Sequence, residues 1–317
     1  IQRVAANGAV LFRMLEVVRE HALEQMTPDE QRACRSQIAA WVCVQADARR
    51  AQSRTEQLPQ WLAFWDAHRE CLQDALQLLL EQMQTETLFE LIVSLDRYFL
   101  ARCVLPWVEA FLTQAIQLPN GTPLMRCRLL RLLTGVYFKR ESFETSRALA
   151  HEMLALAETL PESPETLGWA LYWVVQHALT ERDWATVHHY WERLWSMYPC
   201  HEDFELHIQI HYLAGYIPWE RQPPDWRERA VREAFQQPDL LVRQSTLLAY
   251  SEALMLKGDY EKARLVCLEE VQLARQLDDP IRVGSALVSQ LFIAIQQGEL
   301  ESAEALLHAL RQLDLQV

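Results

Sequence analysis

KGDYEKARL (residues 257–265) and QGELESAEA (residues 297–305) are near copies of each other, about forty residues apart. Each reads as a helix that ends in a tight turn, Gly-Asp or Gly-Glu, before an aromatic residue or leucine opens a second helix. Ala263 and Ala303 follow three positions later, small enough to let the second helix pack closely on the first. Two such hairpins at one spacing make the chain a repeat before it is anything else.

Weaker copies lie upstream. Arg182-Asp183-Trp184 has the same shape, and so has Glu141-Ser142-Phe143 with Ser146 after it. Pro224-Asp225-Trp226 with Ala230 is a distorted copy, and Arg102-Cys103 to Leu105 is the faintest. Between them, Leu129, Leu132, Leu133, Val136 and Tyr137 trace one buried helix face, as do Ala286, Leu287, Leu291 and Ala294. Prolines 119, 123, 161, 164, 199, 238 and 280 fall mainly between units, where a helix must stop. The segment Ile217 to Trp226, with three prolines, reads as a lengthened turn inside one hairpin. The expectation is an all-α fold: a tetratricopeptide-like right-handed superhelix of antiparallel helix pairs. Each pair buries its apolar face only by stacking on its neighbours.

Before residue 105 the pattern changes. Residues 28–53, 57–83 and 86–101 read as long amphipathic helices, with Pro28 and Pro59 near helix starts. Ala9 to Leu15 is a short apolar run that suits a strand, feeding a helix from about Glu16 to Met26. The organisation expected is a short non-repeat, mainly helical segment over 1–56, then the repeat array over 57–317. Only 8 glycines and 13 prolines among 317 residues suit long helices with short connectors.

Thirty basic residues against 43 acidic ones give a net charge of −13. That balance repels phosphate backbones, so direct nucleic-acid contact is not expected. The seven cysteines (34, 43, 71, 103, 127, 200 and 267) are scattered and form no CxxC pair. They read as reduced thiols of a cytoplasmic protein rather than a disulfide or zinc framework. No apolar run approaches the roughly 18 residues of a membrane span. The chain opens at Ile1 in mid-pattern, as a piece of a larger protein would.

Residues 9–26, AVLFRMLEVVREHALEQM, resemble a strand-and-helix signature of signal-transducing STAND ATPase regulators. In that family it closes the winged-helix part that follows the nucleotide-binding domain. Residues 61–80, WLAFWDAHRECLQDALQLLL, look like the next landmark, with Cys71 where asparagine is usual. Helical repeats after these landmarks are similar to the sensor arm of MalT-like and AfsR-like regulators. The resemblance implies an ATP- or GTP-dependent switch whose nucleotide-binding domain lies upstream. It also implies an inducer, small molecule or protein, held in the concave groove of the arm. This chain has no GxxxxGK followed by Ser or Thr, so no nucleotide cofactor is expected within it. The alternative is a constitutive protein–protein scaffold without a switch.

Catalysis is not expected: there is no GxSxG and no HExxH. In the repeat register, Trp169, Tyr172 and Gln176 fall where a first helix lines the groove. The preceding unit contributes Arg128, Arg131 and Lys139, and a later one Glu252. A basic and aromatic groove of this kind suits an acidic peptide or a small anion. His207 and His211 sit four apart, a spacing that can chelate a metal. Without a third ligand at matching spacing they read as groove or surface histidines, and no metal is expected. Most of the eleven tryptophans read as packing anchors.

Overall fold

The structure, a computed structural model, describes residues 2–6, 9–13, 24–103, 105–197 and 238–314, with single positions at 21, 22, 205, 206, 209, 210, 213 and 217. Among the described residues there are fourteen α-helices and one antiparallel hairpin. Strands β1 (Gln2–Ala6) and β2 (Ala9–Arg13) form that hairpin, in a register that opposes Val4 to Leu11. The strand expected from Ala9 is present, and it has an unexpected partner at Gln2–Ala6; the described residues before 57 are otherwise mainly helical, as expected.

The helices are α1 (Pro28–Arg49), α2 (Leu58–Ala67), α3 (Arg69–Glu81), α4 (Thr85–Ser94), α5 (Asp96–Ala101), α6 (Pro106–Ala115) and α7 (Pro123–Lys139). They continue as α8 (Phe143–Ala157), α9 (Pro164–Glu181), α10 (Trp184–Met197), α11 (Leu240–Lys257), α12 (Tyr260–Gln276), α13 (Pro280–Gln296) and α14 (Leu300–Asp314). Sequence neighbours pack on each other: α7 on α8, α8 on α9, α9 on α10, and α11 through α14 in series.

Helix starts follow local chemistry. Thr27 and Glu30 form a reciprocal capping box at α1, and Thr122 caps α7. Asp239, Asp259 and Asp279 accept from backbone amides at the starts of α11, α12 and α13. Helix ends repeat one device. Residues 83, 141, 182, 258, 278 and 298 all take positive φ, and the next amide bonds five residues back, as Asp259 N does to Leu254 O. Only Gly258 and Gly298 of these six are glycines. The small residues that follow are buried as the pattern requires: Ala263, Ala303 and Ser146.

Two helices expected to be continuous are broken. The 57–83 helix stops at His68, whose Nδ1 lies 2.8 Å from the Phe64 carbonyl and so occupies an acceptor at the end of the helix. The 86–101 helix stops at Leu95 and restarts at Asp96, whose carboxylate accepts from the Arg97 amide. Helix α5 carries Arg97, and the residue that caps its end is Arg102; both are buried.

One apolar core runs from Ala39 on α1 to Leu277 after α12. Trp61, Trp65, Tyr98 and Phe99 fill its first part, with Phe99 stacked on Phe111. Full burial of such a side chain contributes about 1.5–3 kcal/mol. In the C-terminal half of α7, Gly135 leaves little room for a larger residue. A Cβ at Gly135 would lie 3.3 Å from Leu100 and 3.5 Å from Trp173, so α7 runs close to both neighbours.

Candidate functional site

The face expected to line an open groove is filled by the protein itself. Trp169 and Tyr172, on α9, are buried, with their rings edge to face at 5.5 Å. The Arg131 guanidinium lies 3.7 Å from the centre of the Trp169 ring and donates to Glu205. Tyr172 donates to Gln209 at 3.0 Å, and burial pushes its phenol far up. Gln176 is 8% exposed, and its Oε1 has no hydrogen-bond partner among the described residues. Lys139 donates to the Leu100 carbonyl at 2.9 Å. The exposed aromatic platform is therefore not there: Trp169 is a packing surface for Arg131. Glu252 is half-buried on α11, and His207 and His211 lie outside the described residues.

At the centre of this interior is a residue the repeat pattern does not single out. Arg97 is 1% exposed and donates to Glu205 at 2.9 Å and to Asp239 at 2.7 Å. Burial opposes its charge, but the carboxylates of Glu205 and Asp239 override this and raise its pKa. Burial would likewise raise Glu205, yet Arg97 and Arg131 hold it below the usual carboxylate range. One turn further along, Arg102 pairs with Asp66 at 2.7 Å and donates to the carbonyls of Leu277 and Asp278. Arg97 in α5 and Arg102 at its end thus tie this part of the chain to the segment before α11 and the turn after α12. A basic residue one turn from another is too common a pattern to have marked them.

Two further buried titratable groups were also missed. Glu270 is fully buried, and neither carboxylate oxygen has a hydrogen-bond partner among the described residues. Burial, with repulsion from Glu252, outweighs Arg282 and pushes its pKa up to about 8. A signal existed: Ala263, Cys267, Val271 and Ala274 form the buried stripe of α12, and Glu270 lies within it. On α9, burial lowers His177 to about 4. Its Nε2 donates to Ser146 Oγ at 2.9 Å, and that hydroxyl donates to the Thr134 carbonyl.

Of the groove residues, Arg128 lines a cleft. The cleft, of about 360 Å³, lies between the end of α1, α4 and α7. Asp47, Arg50, Glu90 and Arg128 are exposed around it, and Phe89 and Ser94 lie deeper. The Arg128 guanidinium is 5.8 Å from the centre of the Phe89 ring. On the other face of α4, a cavity of about 190 Å³ is walled mainly by apolar residues, among them Leu88, Ile92, Ile116 and Leu129. Elsewhere on the surface, arginines are mostly paired, as in Arg126–Glu152, Arg147–Glu181 and Arg193–Glu158.

Among the described residues, no cluster of His, Cys, Asp and Glu is placed to hold a metal ion. No helix there is long and apolar enough to cross a membrane. No protein-family model matches this chain, and comparison with curated proteins finds no match.

Proposed function

We propose that this chain is the sensing arm of a STAND-type signal-transducing ATPase regulator, a tetratricopeptide-like superhelix of helix pairs that binds an inducer. The repeated left-handed turns at residues 141, 182, 258 and 298 support the helix-pair reading. The observation that carries the sensing role is the buried contact of Arg97 with Glu205 and Asp239. A buried ion pair is a weak source of stability, because desolvating the charges offsets most of their attraction. It is a strong source of geometry, since neither partner tolerates being left alone in the interior. Two regions far apart in sequence are thereby held in one arrangement, which a ligand can favour or disfavour as a unit.

In this mechanism the closed arm restrains a nucleotide-binding domain outside this chain, where ATP or GTP would bind, in the cytoplasm. An inducer, small molecule or peptide, shifts the arm to a second arrangement. Moving such an equilibrium from 1:99 to 99:1 takes about 5.5 kcal/mol of differential binding.

The test is hydrogen exchange at α5 and α11 in the full-length regulator, with and without candidate inducers. Concerted loss of protection in both helices on inducer binding supports the sensor. A partner that binds tightly and leaves both helices protected supports a constitutive scaffold. That second reading draws on the exposed apolar residues Val288, Phe292 and Ile295 along α13.

A further inference from the structure

The cleft between α1, α4 and α7 carries charges of both signs that the protein leaves unmatched. Arg50 and Arg128 stand on its rim without an ion-pair partner among the described residues, in a chain whose net charge is −13. Asp47 and Glu90 share that rim and are likewise unpaired. Ser94, 8% exposed, belongs to the wall, and its hydroxyl makes no hydrogen bond within the described protein. Phe89 supplies an apolar surface beside Arg128.

We propose that this cleft binds a small zwitterion, a free α-amino acid or a dipeptide. Its carboxylate is taken by Arg50 and Arg128 and its ammonium group by Asp47 and Glu90. A simple anion would meet two carboxylates, and a simple cation two guanidinium groups. A ligand carrying both charges satisfies all four, and its own net charge of zero suits a rim whose charges cancel. Asp47 lies in the last turn of α1, where the negative end of the helix dipole also favours an ammonium group. The Ser94 hydroxyl is free to donate to the carboxylate, while Phe89 lies against the ligand side chain. The volume, about 360 Å³, is at the lower end for small-molecule sites. This names a ligand class for the sensor reading, although the binding itself does not depend on the arm being a switch.

The experiment is calorimetric titration of the intact chain with the common L-α-amino acids and a dipeptide panel, each beside its N-acetylated and C-amidated forms. The expected result is that at least one zwitterion binds and that removing either of its charges weakens binding tenfold or more. Arg128→Met and Asp47→Asn are each expected to weaken it by a similar factor, since each removes a charge-assisted contact. Both side chains are exposed, so folding is not at stake, and Glu304→Gln on α14 serves as the unaffected control. The proposal is overturned if no zwitterion binds, if the acetylated acids bind as tightly as the free ones, or if binding survives both substitutions. Binding without any change in exchange at α5 upholds this site and counts against the sensor reading. An inducer that opens α5 while no zwitterion binds does the reverse.

Discussion

Arg97 on α5 places its guanidinium 2.7 Å from a carboxylate oxygen of Asp239, 142 residues further along the chain. The same guanidinium reaches Glu205, so one fully buried cation holds two anions from a distant part of the sequence. Asp239 has a second duty, accepting from the Leu241 and Val242 amides at the start of α11. Removing Arg97 therefore takes from Asp239 the ion pair it makes in the interior, while Glu205 keeps its contact with Arg131.

Arg97→Met is expected to destabilise the protein by about 3–5 kcal/mol, the usual result of removing one side of a buried ion pair. Adding Glu205→Gln and Asp239→Asn to the same chain should recover part of that loss, because the carboxylate charges that Arg97 balanced go and the amide at 239 can still cap α11. The recovery is only partial because Arg131 loses its contact with the Glu205 charge. Urea denaturation of the single and triple variants measures the difference. If the single substitution costs less than about 1 kcal/mol, the clamp is a surface-type pair and not a buried one.

The helix-ending turns give a prediction of opposite sign at two equivalent positions. Gly258 sits at φ 78° with open space around its α-carbon, so Gly258→Ala costs about 1 kcal/mol through backbone strain alone. Arg182 takes φ 59° at the corresponding place after α9, and Arg182→Gly relieves that strain. The expected gain is below about 1 kcal/mol, because glycine also loosens the unfolded chain. Thermal unfolding midpoints should move down for the first variant and up for the second.

Two buried groups give opposing dependence on pH. Glu270 is pushed up to about 8, so the folded protein keeps a proton that the unfolded chain releases near its ordinary value of 4.5. Its contribution is fully present below that ordinary value and is lost as the pH rises through 8. The advantage of Glu270→Gln over the parent protein should therefore grow as the pH is raised across that window.

His177 acts in the other direction. Burial lowers it to about 4, so as the pH falls below 6.5 the unfolded chain takes up the proton first. Stability is lost from there down to the folded value. A His177→Gln chain should lose less stability over that acid range. Parallel denaturant titrations at several pH values read both effects, and curves that superimpose on the parent's would exclude them.

Ser146 occupies the small-residue position that is alanine at 263 and 303, yet its hydroxyl joins His177 to the Thr134 carbonyl. Ser146→Ala restores the repeat's usual residue and leaves the buried His177 Nε2 without this partner, while the Thr134 carbonyl keeps its place in the helical ladder of α7. The expected cost is about 1–3 kcal/mol. Pairing it with His177→Leu should return part of that cost, which a double-mutant cycle in urea would measure.

Much of the helix scaffold was legible in the sequence. The turns at 141, 182, 258 and 298, the prolines opening α7, α9 and α13, and the buried small residues all follow from local pattern. They are readable because a helix cap or a left-handed turn depends on residues within a few positions of each other. The breaks at His68 and Leu95 were not, since an apolar periodicity continues across both. The first strand of the N-terminal hairpin was also legible and was overlooked: Asn7-Gly8, between Gln2–Ala6 and Ala9–Arg13, is a strong sequence signal for a two-residue hairpin turn.

The candidate site divides the same way. The register put Arg131, Trp169 and Tyr172 on one inward face, and the structure does bring Arg131 over Trp169. It covers that face, however, with Glu205, Gln209 and Arg97, and it sets Arg128 apart beside Arg50 at a different cleft. Periodicity determines which face of a helix turns inward, because that is a property of one helix. Which distant segment covers the face depends on long-range charge pairing such as Arg97 with Asp239, a relationship that exists only once the chain has folded.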